Sequence, residues 1–130
     1  MVDFKVTPQN GGGDLLILEN VFRAKGWPTR HLHYEQDEWF YALECEFLIE
    51  IGDERTRPRP GGGLLASRRV PHCWAHVGAG RGRILITFSP AGQMEAFLRE
   101  VTKANAMSPQ DHDLWRAHGM ELVGQPLALD

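Results

Sequence analysis

The sequence predicts an all-β fold, a double-sheet jelly-roll barrel followed by one or two helices. The chain contains 14 glycines and 8 prolines, many of them clustered between short apolar runs, which favours frequent turns over a helical bundle. These turn signals recur at the spacing typical of a sandwich or barrel. With 130 residues, of which 42% are hydrophobic, the chain suits one compact domain over 1–130. We expect the barrel over about 1–90 and a helical extension over about 91–130.

Short apolar runs between turn residues predict about eight or nine strands, the range of double-sheet jelly rolls. Glycines and an aspartate at 11–14 separate the first two, and Gly52-Asp53 has the composition of a hairpin turn. The last run is rich in β-branched and aliphatic side chains, which suit strands. The predicted strand segments lie at 4–6, 15–18, 21–25, 30–34, a long aromatic and aliphatic stretch made of 39–44 and 47–51, 54–57, 64–67, 73–77 and 83–89.

The periodicity becomes helical after the Pro-Ala-Gly turn at 90–92. Met94, Phe97, Leu98 and Val101 recur at three- and four-residue steps, which predicts a helix over about 93–104. The Ser-Pro pair at 108–109 resembles a helix start, and a second short helix is expected to end at Gly119. We expect both helices on the outside of the barrel and an extended tail after them.

Net charge, the first residues and the cysteine content indicate the kind of partner and the cellular location to expect. A net charge of −3 gives no electrostatic reason to expect nucleic acid or an anionic membrane, so a small molecule is the default partner. The first residues lack the apolar core of a signal peptide, and no run is long enough to span a membrane. A cytoplasmic location is therefore expected, where Cys45 and Cys73 would remain thiols with a packing role.

The segment from His31 to Glu38 carries the strongest functional signal. On a strand, residues two apart face the same side, so His31 and His33 would project together. Glu38 can return on the neighbouring strand to meet them, and His72 adds a distant fourth candidate. Asp37 is the competing carboxylate, although Glu38 aligns better with the strand that follows. The pattern predicts a site for one divalent transition metal ion.

These residues resemble the first motif of the cupin superfamily. That motif is similar to Gly, five residues, His-x-His, three or four residues, Glu, six residues, Gly. Here four residues instead of five separate Gly26 from His31. His31, His33 and Glu38 keep the family spacing, and Cys45 stands where the family has its closing glycine.

The second cupin motif, Gly, five residues, Pro-x-Gly, two residues, His, three residues, Asn, maps without a gap. It falls on Gly61, Ser67, Arg69, His72 and His76. The spacing is kept, whereas Pro, the second Gly and Asn are replaced. The resemblance covers about 25–89.

The resemblance implies a double-stranded β-helix with a metal inside, held by His31, His33, Glu38 and His72. Cupin metals include iron, manganese, nickel, zinc and copper, and this ligand chemistry does not choose among them. Cupins commonly pair through sheet edges, so the resemblance also implies a homodimer.

Strand parity indicates which other side chains face the barrel interior. Phe40 shares the face of Glu38, and Trp74 and His76 share the face of His72. We expect Phe40, Trp74 and His76 to line a substrate pocket, with Glu38 and His76 as catalytic candidates. An equally simple interpretation makes Trp74 core filling and His76 a rim hydrogen-bonding residue.

The sequence leaves two neighbouring features open. Sequence does not decide whether Ile84, Ile86 and Phe88 or their alternates point inward. Arg68 and Arg69 could bind an anionic ligand group, but such pairs are more often solvated surface.

Three histidines and one glutamate would leave positions on a metal ion for substrate or dioxygen. The aromatic pocket then favours a dioxygenase-like enzyme acting on a small enol, catechol or other aromatic substrate. One alternative is a non-catalytic cupin that binds a small molecule or metal. A second is a metal-dependent isomerase, epimerase or decarboxylase, of which sugar isomerisation or epimerisation would predict polar pocket walls.

Overall fold

Two five-stranded antiparallel sheets form the body of the protein in a computed structural model, which describes residues 2–9, 13–22, 29–44, 46–103, 111–125 and 127. The strands are β1 (Val2–Val6), β2 (Leu16–Phe22), β3 (His31–His33), β4 (Asp37–Glu44), β5 (Phe47–Ile51), β6 (Glu54–Thr56), β7 (Gly63–Ala66), β8 (His72–His76), β9 (Gly82–Ser89) and β10 (Met120–Leu122). One sheet has the order β1-β2-β9-β4-β7 and the other β10-β3-β8-β5-β6. The predicted double-stranded β-helix is confirmed.

Alternating burial shows which strand faces form the core. In β9, Ile84, Ile86 and Phe88 are buried while the residues between them are half-buried, so these three point inward. In β4, Phe40 and Ala42 share the buried face with Glu38. Period-two alternation of this kind is what a sheet with one face on the core requires.

The second strand is longer than the sequence indicated. Two separate strands were expected at 15–18 and 21–25, but Leu16–Phe22 is one continuous strand. The polar Glu19 does not end it, because Glu19 keeps its register opposite Leu85 on β9. The segment 23–25 lies outside the described residues, as do Gly26 and Cys45.

Within the part of the chain that the structure describes, two helices follow the barrel, α1 (Met94–Lys103) and α2 (His112–Ala117). The N-cap of α2 is Asp111, whose side chain accepts a hydrogen bond from the Leu114 amide at 3.0 Å. The Ser-Pro start expected at 108–109 lies outside the described residues.

The helices contribute to the core rather than lying only outside the barrel, which corrects the expectation. Met94, Phe97 and Val101 of α1 and Trp115 of α2 belong to the same buried cluster as the barrel residues. The apolar face of each helix thus packs against buried side chains of the barrel. None of the helices in the described ranges is long and apolar enough to cross a membrane.

The tail after α2 is not merely extended. Met120–Leu122 pairs with His31–His33 as an antiparallel strand, with Met120 opposite His33.

On β8, Cys73 faces away from His72 into a small cluster with Leu48. Burial raises the pKa of the Cys73 thiol to about 11, in keeping with the packing role expected for it.

Candidate metal centre

Four side chains from three strands converge between the two sheets. His31 and His33 lie two apart on β3 and are both buried, so they share its inner face. His72 on β8 stands opposite His31 in the same sheet. Glu38 comes from β4 in the other sheet. The residues predicted as ligands from the sequence are therefore brought together by the packing of one sheet on the other.

The carboxylate of Glu38 is the centre of this cluster. Its Oε1 lies 2.9 Å from His33 Nε2, 2.8 Å from His72 Nε2 and 4.0 Å from His31 Nε2. One ligand atom from each of the four residues lies within 4.8 Å of the others. Glu38 is 2% exposed, so this carboxylate is buried.

In each of the three imidazoles, Nδ1 has its own hydrogen-bond acceptor. His31 Nδ1 lies 3.2 Å from the Thr29 carbonyl oxygen, and His72 Nδ1 lies 3.1 Å from that of Val70. His33 Nδ1 lies 3.2 Å from Gln36 Oε1. A carbonyl only accepts, so these rings donate from Nδ1 and turn Nε2 towards Glu38. Histidines that bind metals are usually oriented by such a partner on the other nitrogen.

Electrostatics in the cluster favour a charged carboxylate. Burial acts to raise the pKa of Glu38, but hydrogen bonds from His33 and His72 outweigh burial and hold the pKa well below its usual value. Burial also acts to lower the pKa of His72, yet its contact with Glu38 raises that pKa overall. The pKa of His31 lies well below its ordinary value, because it is buried and faces His72 and His33.

These four residues fit a divalent metal ion. A buried carboxylate needs a positive partner, since an unpaired charge is costly away from water. The three Nε2 atoms that face Glu38 supply nitrogen ligands, and the neutral His31 needs no proton removed before it can bind. Imidazole and carboxylate together suit several first-row ions. The donor set therefore supports a metal site and does not identify the metal.

A pocket with a cavity volume of about 90 Å³, partly open to solvent, adjoins the cluster. His31 and Glu38 form part of its wall, with Asn20 and Thr29 as further polar side chains. The apolar wall comes from the barrel and the helices: Leu18, Trp74, Ile86, Phe88, Met120, Met94, Phe97, Leu98 and Trp115. Two of the four candidate ligands thus face an aromatic and aliphatic space.

The predicted pocket residues lie at different depths. Trp74 lines the pocket. Phe40 is 1% exposed, and its ring centroid lies 6.0 Å from that of His72. His76 is buried against Phe22 and Phe47, with ring centroids 6.0 and 5.4 Å away. Phe40 and His76 are not among the described residues on the pocket wall, and their proposed roles stay predictions.

The competing carboxylate and the arginine pair lie outside the cluster. Asp37 accepts hydrogen bonds from the backbone amide and the guanidinium of Arg68, at 2.8 and 3.2 Å. Arg69 forms an exposed ion pair with Glu35 at 3.1 Å. The bond to Arg68 holds the pKa of Asp37 below its ordinary value. These charges are paired with each other on the surface.

Two groups of residues around the site were missed from the sequence. The first group lies on the two helices and forms part of the pocket wall: Met94, Phe97, Leu98 and Trp115. Their helical spacing indicated a buried face, but it did not indicate that this face lines a pocket. Gln36 contacts His33, and a lone glutamine three residues along the chain carries no sequence signal for that contact.

Comparison with known proteins agrees with this fold. The family model described as "Cupin domain" matches residues 21–88. KdgF from Halomonas sp. is 23% identical, with a TM-score of 0.60, and the match covers 68% of this chain and 76% of that one. A predicted oxalate decarboxylase from Thermotoga maritima is 12% identical, with a TM-score of 0.64, covering 68% and 78%.

An RmlC-like cupin from Shewanella frigidimarina is also similar, at 20% identity and a TM-score of 0.52, covering 63% of this chain and 71% of that one. No curated protein sequence matches the chain. The family model spans more than half of the 130 residues and includes all four candidate ligands. The chain belongs to the cupin family.

Proposed function

We propose that this cupin is a metal-dependent enzyme of the dioxygenase type that acts on a small enol, catechol or related aromatic substrate. The observation that carries the proposal is the junction of the ligand cluster with the pocket. His31 and Glu38 lie in a pocket wall that, apart from them and the polar Asn20 and Thr29, is aromatic and aliphatic. A substrate with an apolar ring and one or two oxygen donors matches that combination.

The chain's own residues would hold a divalent ion through His31, His33, Glu38 and His72. Such an ion supplies Lewis-acid and, for iron, manganese, nickel or copper, redox chemistry. In a dioxygenase reaction the co-reactant is O₂ and both its atoms enter the substrate, so no separate reductant is needed.

The pocket wall supports an uncharged or weakly charged ring over a small dianion. Trp74, Phe97 and Trp115 offer aromatic surfaces, and aromatic pairs gain from offset or edge-on packing. Among the described residues that line the pocket there is no lysine or arginine to balance a second carboxylate. This favours the enol or aromatic class over the decarboxylase, isomerase and epimerase alternatives.

The test is oxygen consumption by protein loaded anaerobically with Fe²⁺, Mn²⁺, Ni²⁺, Cu²⁺ or Zn²⁺, screened over enols, catechols and flavonols. His33→Ala should lose metal-dependent uptake. His112→Ala is the matched control, because His112 is exposed at the start of α2, and it should keep full uptake.

Stoichiometric metal without turnover on any of these substrates would contradict the enzyme and support the alternative, a cupin that binds a metal or small molecule without catalysis. Turnover only of dicarboxylates or sugars, without oxygen uptake, would support the decarboxylase or isomerase class. Glu38 and His76 remain the proposed catalytic residues.

We also propose that the protein is a cytoplasmic homodimer whose partner is a small molecule rather than nucleic acid or a membrane. The support is the family resemblance and the net charge of −3. Light scattering after gel filtration tests the dimer, and a molar mass near 14.7 kDa would contradict it.

A further inference from the structure

Gln36 lies in the turn between β3 and β4, and its side chain is buried. It is 4% exposed, three residues after His33 and two before Glu38. A buried amide has to satisfy both its oxygen and its NH₂ group, since leaving either without a partner is costly. The partners of Gln36 therefore define how the amide is oriented.

Both hydrogen-bond acceptors of the NH₂ group are backbone carbonyls. Gln36 Nε2 donates to the Pro90 oxygen at 2.9 Å and to the Ala91 oxygen. Carbonyl oxygens cannot donate, so the NH₂ group must be the end that faces them. The amide oxygen is then left facing His33 Nδ1, 3.2 Å away.

The orientation of the amide fixes the hydrogen on His33. An amide oxygen only accepts, so His33 Nδ1 has to donate. The other nitrogen, Nε2, then faces Glu38 Oε1 at 2.9 Å and offers its lone pair to an ion when the ring is neutral. Gln36 thus determines both the ring orientation and which nitrogen is available to a metal.

The same amide holds the segment that leads into α1. The Ala91 amide donates to the Asp14 carbonyl at 2.9 Å, and the Met94 amide donates to the Ala91 carbonyl at 3.1 Å. Met94 lines the pocket. A single side chain therefore links a candidate metal ligand to the start of the helix that walls the pocket.

Gly92 leaves little room for this arrangement to shift. A Cβ built there would lie 2.7 Å from Gln36 Nε2 and 3.1 Å from Gln36 Cδ, and the residue has φ +53°. Real Cβ atoms essentially never approach another heavy atom to 2.7 Å. The close approach gives a way to displace the amide without changing Gln36 itself.

We propose that Gln36 is a positioning residue of the metal site, acting through His33, and that the same amide ties this ligand to the segment leading into α1. The inference rests on the metal-binding part of the proposed function and not on the reaction. A purely structural role, in which Gln36 only anchors the Pro90 and Ala91 carbonyls, is the competing explanation.

Two substitutions at Gln36 separate these roles. Gln36→Leu removes both ends of the amide, whereas Gln36→Glu keeps an oxygen for His33 Nδ1 and loses the donors to the two carbonyls. We expect calorimetric titration with Zn²⁺ to show a Kd about 10-fold or more higher for Gln36→Leu, and within about threefold of wild type for Gln36→Glu. Both variants should melt at a lower temperature. Gln125→Leu, at an exposed glutamine, should change neither quantity.

Imidazole nitrogen NMR of the zinc-loaded protein gives a second readout. The His33 Nδ1 proton should exchange slowly with water in the wild type and in Gln36→Glu, because an acceptor protects it. In Gln36→Leu the His33 Nδ1 proton should lose this protection from exchange, whereas the Nδ1 protons of His31 and His72 should stay protected.

Gly92→Ala tests the same contact from the opposite side and covers the case in which a Gln36 variant does not fold. We expect it to weaken Zn²⁺ binding in the same direction as Gln36→Leu. Gly13→Ala is its matched control, because Gly13 has φ +94° with nothing within 4 Å of an added Cβ. That variant carries backbone strain without touching Gln36, and it should keep wild-type zinc affinity.

Equal losses of zinc affinity in Gln36→Leu and Gln36→Glu would show the structural role and overturn the inference, as would wild-type affinity in Gln36→Leu. A wild-type protein that binds no Zn²⁺ would overturn the metal site and this inference together. Zinc binding without oxygen uptake would overturn only the proposed reaction.

Discussion

His72 and His76 are the two ends of the same strand, and both are buried, but their surroundings differ. His72 meets the Glu38 carboxylate at 2.8 Å and donates from Nδ1 to a backbone carbonyl. His76, four residues later on β8, lies among the rings of Phe22 and Phe47. One end of the strand contributes to a polar cluster, and the other packs against aromatic rings.

This difference shows that burial and strand parity do not by themselves make a histidine a ligand. Period-two spacing places both rings on one face of β8. Of the two, only His72 stands opposite a strand that supplies further nitrogen ligands, because β3 pairs with β8 at His31↔His72, and it also meets the Glu38 carboxylate from the other sheet. The strand opposite His76 is β5, which presents Phe47 there.

The largest expected effect is on metal affinity. His72→Ala removes a candidate ligand, and since the loss of an outer partner alone costs about 10- to 100-fold, we expect Zn²⁺ affinity to fall by more than about 100-fold. His76→Asn should leave it within about threefold. Calorimetric titration of both variants against wild type measures the contrast.

Equal losses in the two variants would contradict the distinction between the two ends of β8. A His76→Asn protein with wild-type zinc affinity and lost oxygen uptake would instead support the catalytic role predicted for His76.

A smaller effect is expected at the aromatic end of β8. A Cβ at Gly82 would lie 2.4 Å from His76 Cδ2 and 2.8 Å from its Nε2. Gly82→Ala should therefore lower the free energy of unfolding by about 1–3 kcal/mol, the usual cost of overpacking, with zinc affinity unchanged. Urea denaturation measures the first quantity and calorimetry the second.

Gly80→Ala is the control for that change, since nothing lies within 4 Å of a Cβ added there. The double variant His76→Asn with Gly82→Ala should recover part of the loss, because the smaller side chain frees the space. A Gly82→Ala protein as stable as wild type would contradict the tight packing of His76 at this end of β8.

The smallest effect is expected for the carboxylate next to Glu38. Asp37→Asn removes an ion pair with Arg68 in which both side chains are at least one-third exposed, so the free energy of unfolding should fall by at most about 1 kcal/mol. Its zinc affinity should match wild type, whereas Glu38→Gln should lose most of it. Retained affinity in Glu38→Gln with loss in Asp37→Asn would reverse the assignment of the carboxylate.

The sequence predicted the parts of the fold that depend on local periodicity. Glu38, Phe40 and Ala42 face inward together, as their spacing on β4 indicated. The predicted α1 agrees with Met94–Lys103 at its start. The single long β2 was missed because Glu19, read locally, breaks the apolar run; its pairing with Arg83 at 2.6 Å makes the buried position tolerable.

By itself the sequence predicted the barrel class and the inward face of β4, and its resemblance to the cupin motifs implied the four candidate ligands. The barrel class and the inward face follow from short strands and their two-residue period, which are properties of the chain alone. The tertiary structure decided the inward set on β9, the contact of Gln36 with His33 and the helical wall that makes the pocket apolar. Those contacts join residues far apart along the chain or in different elements, and local periodicity says which face of an element is buried but not what it is buried against.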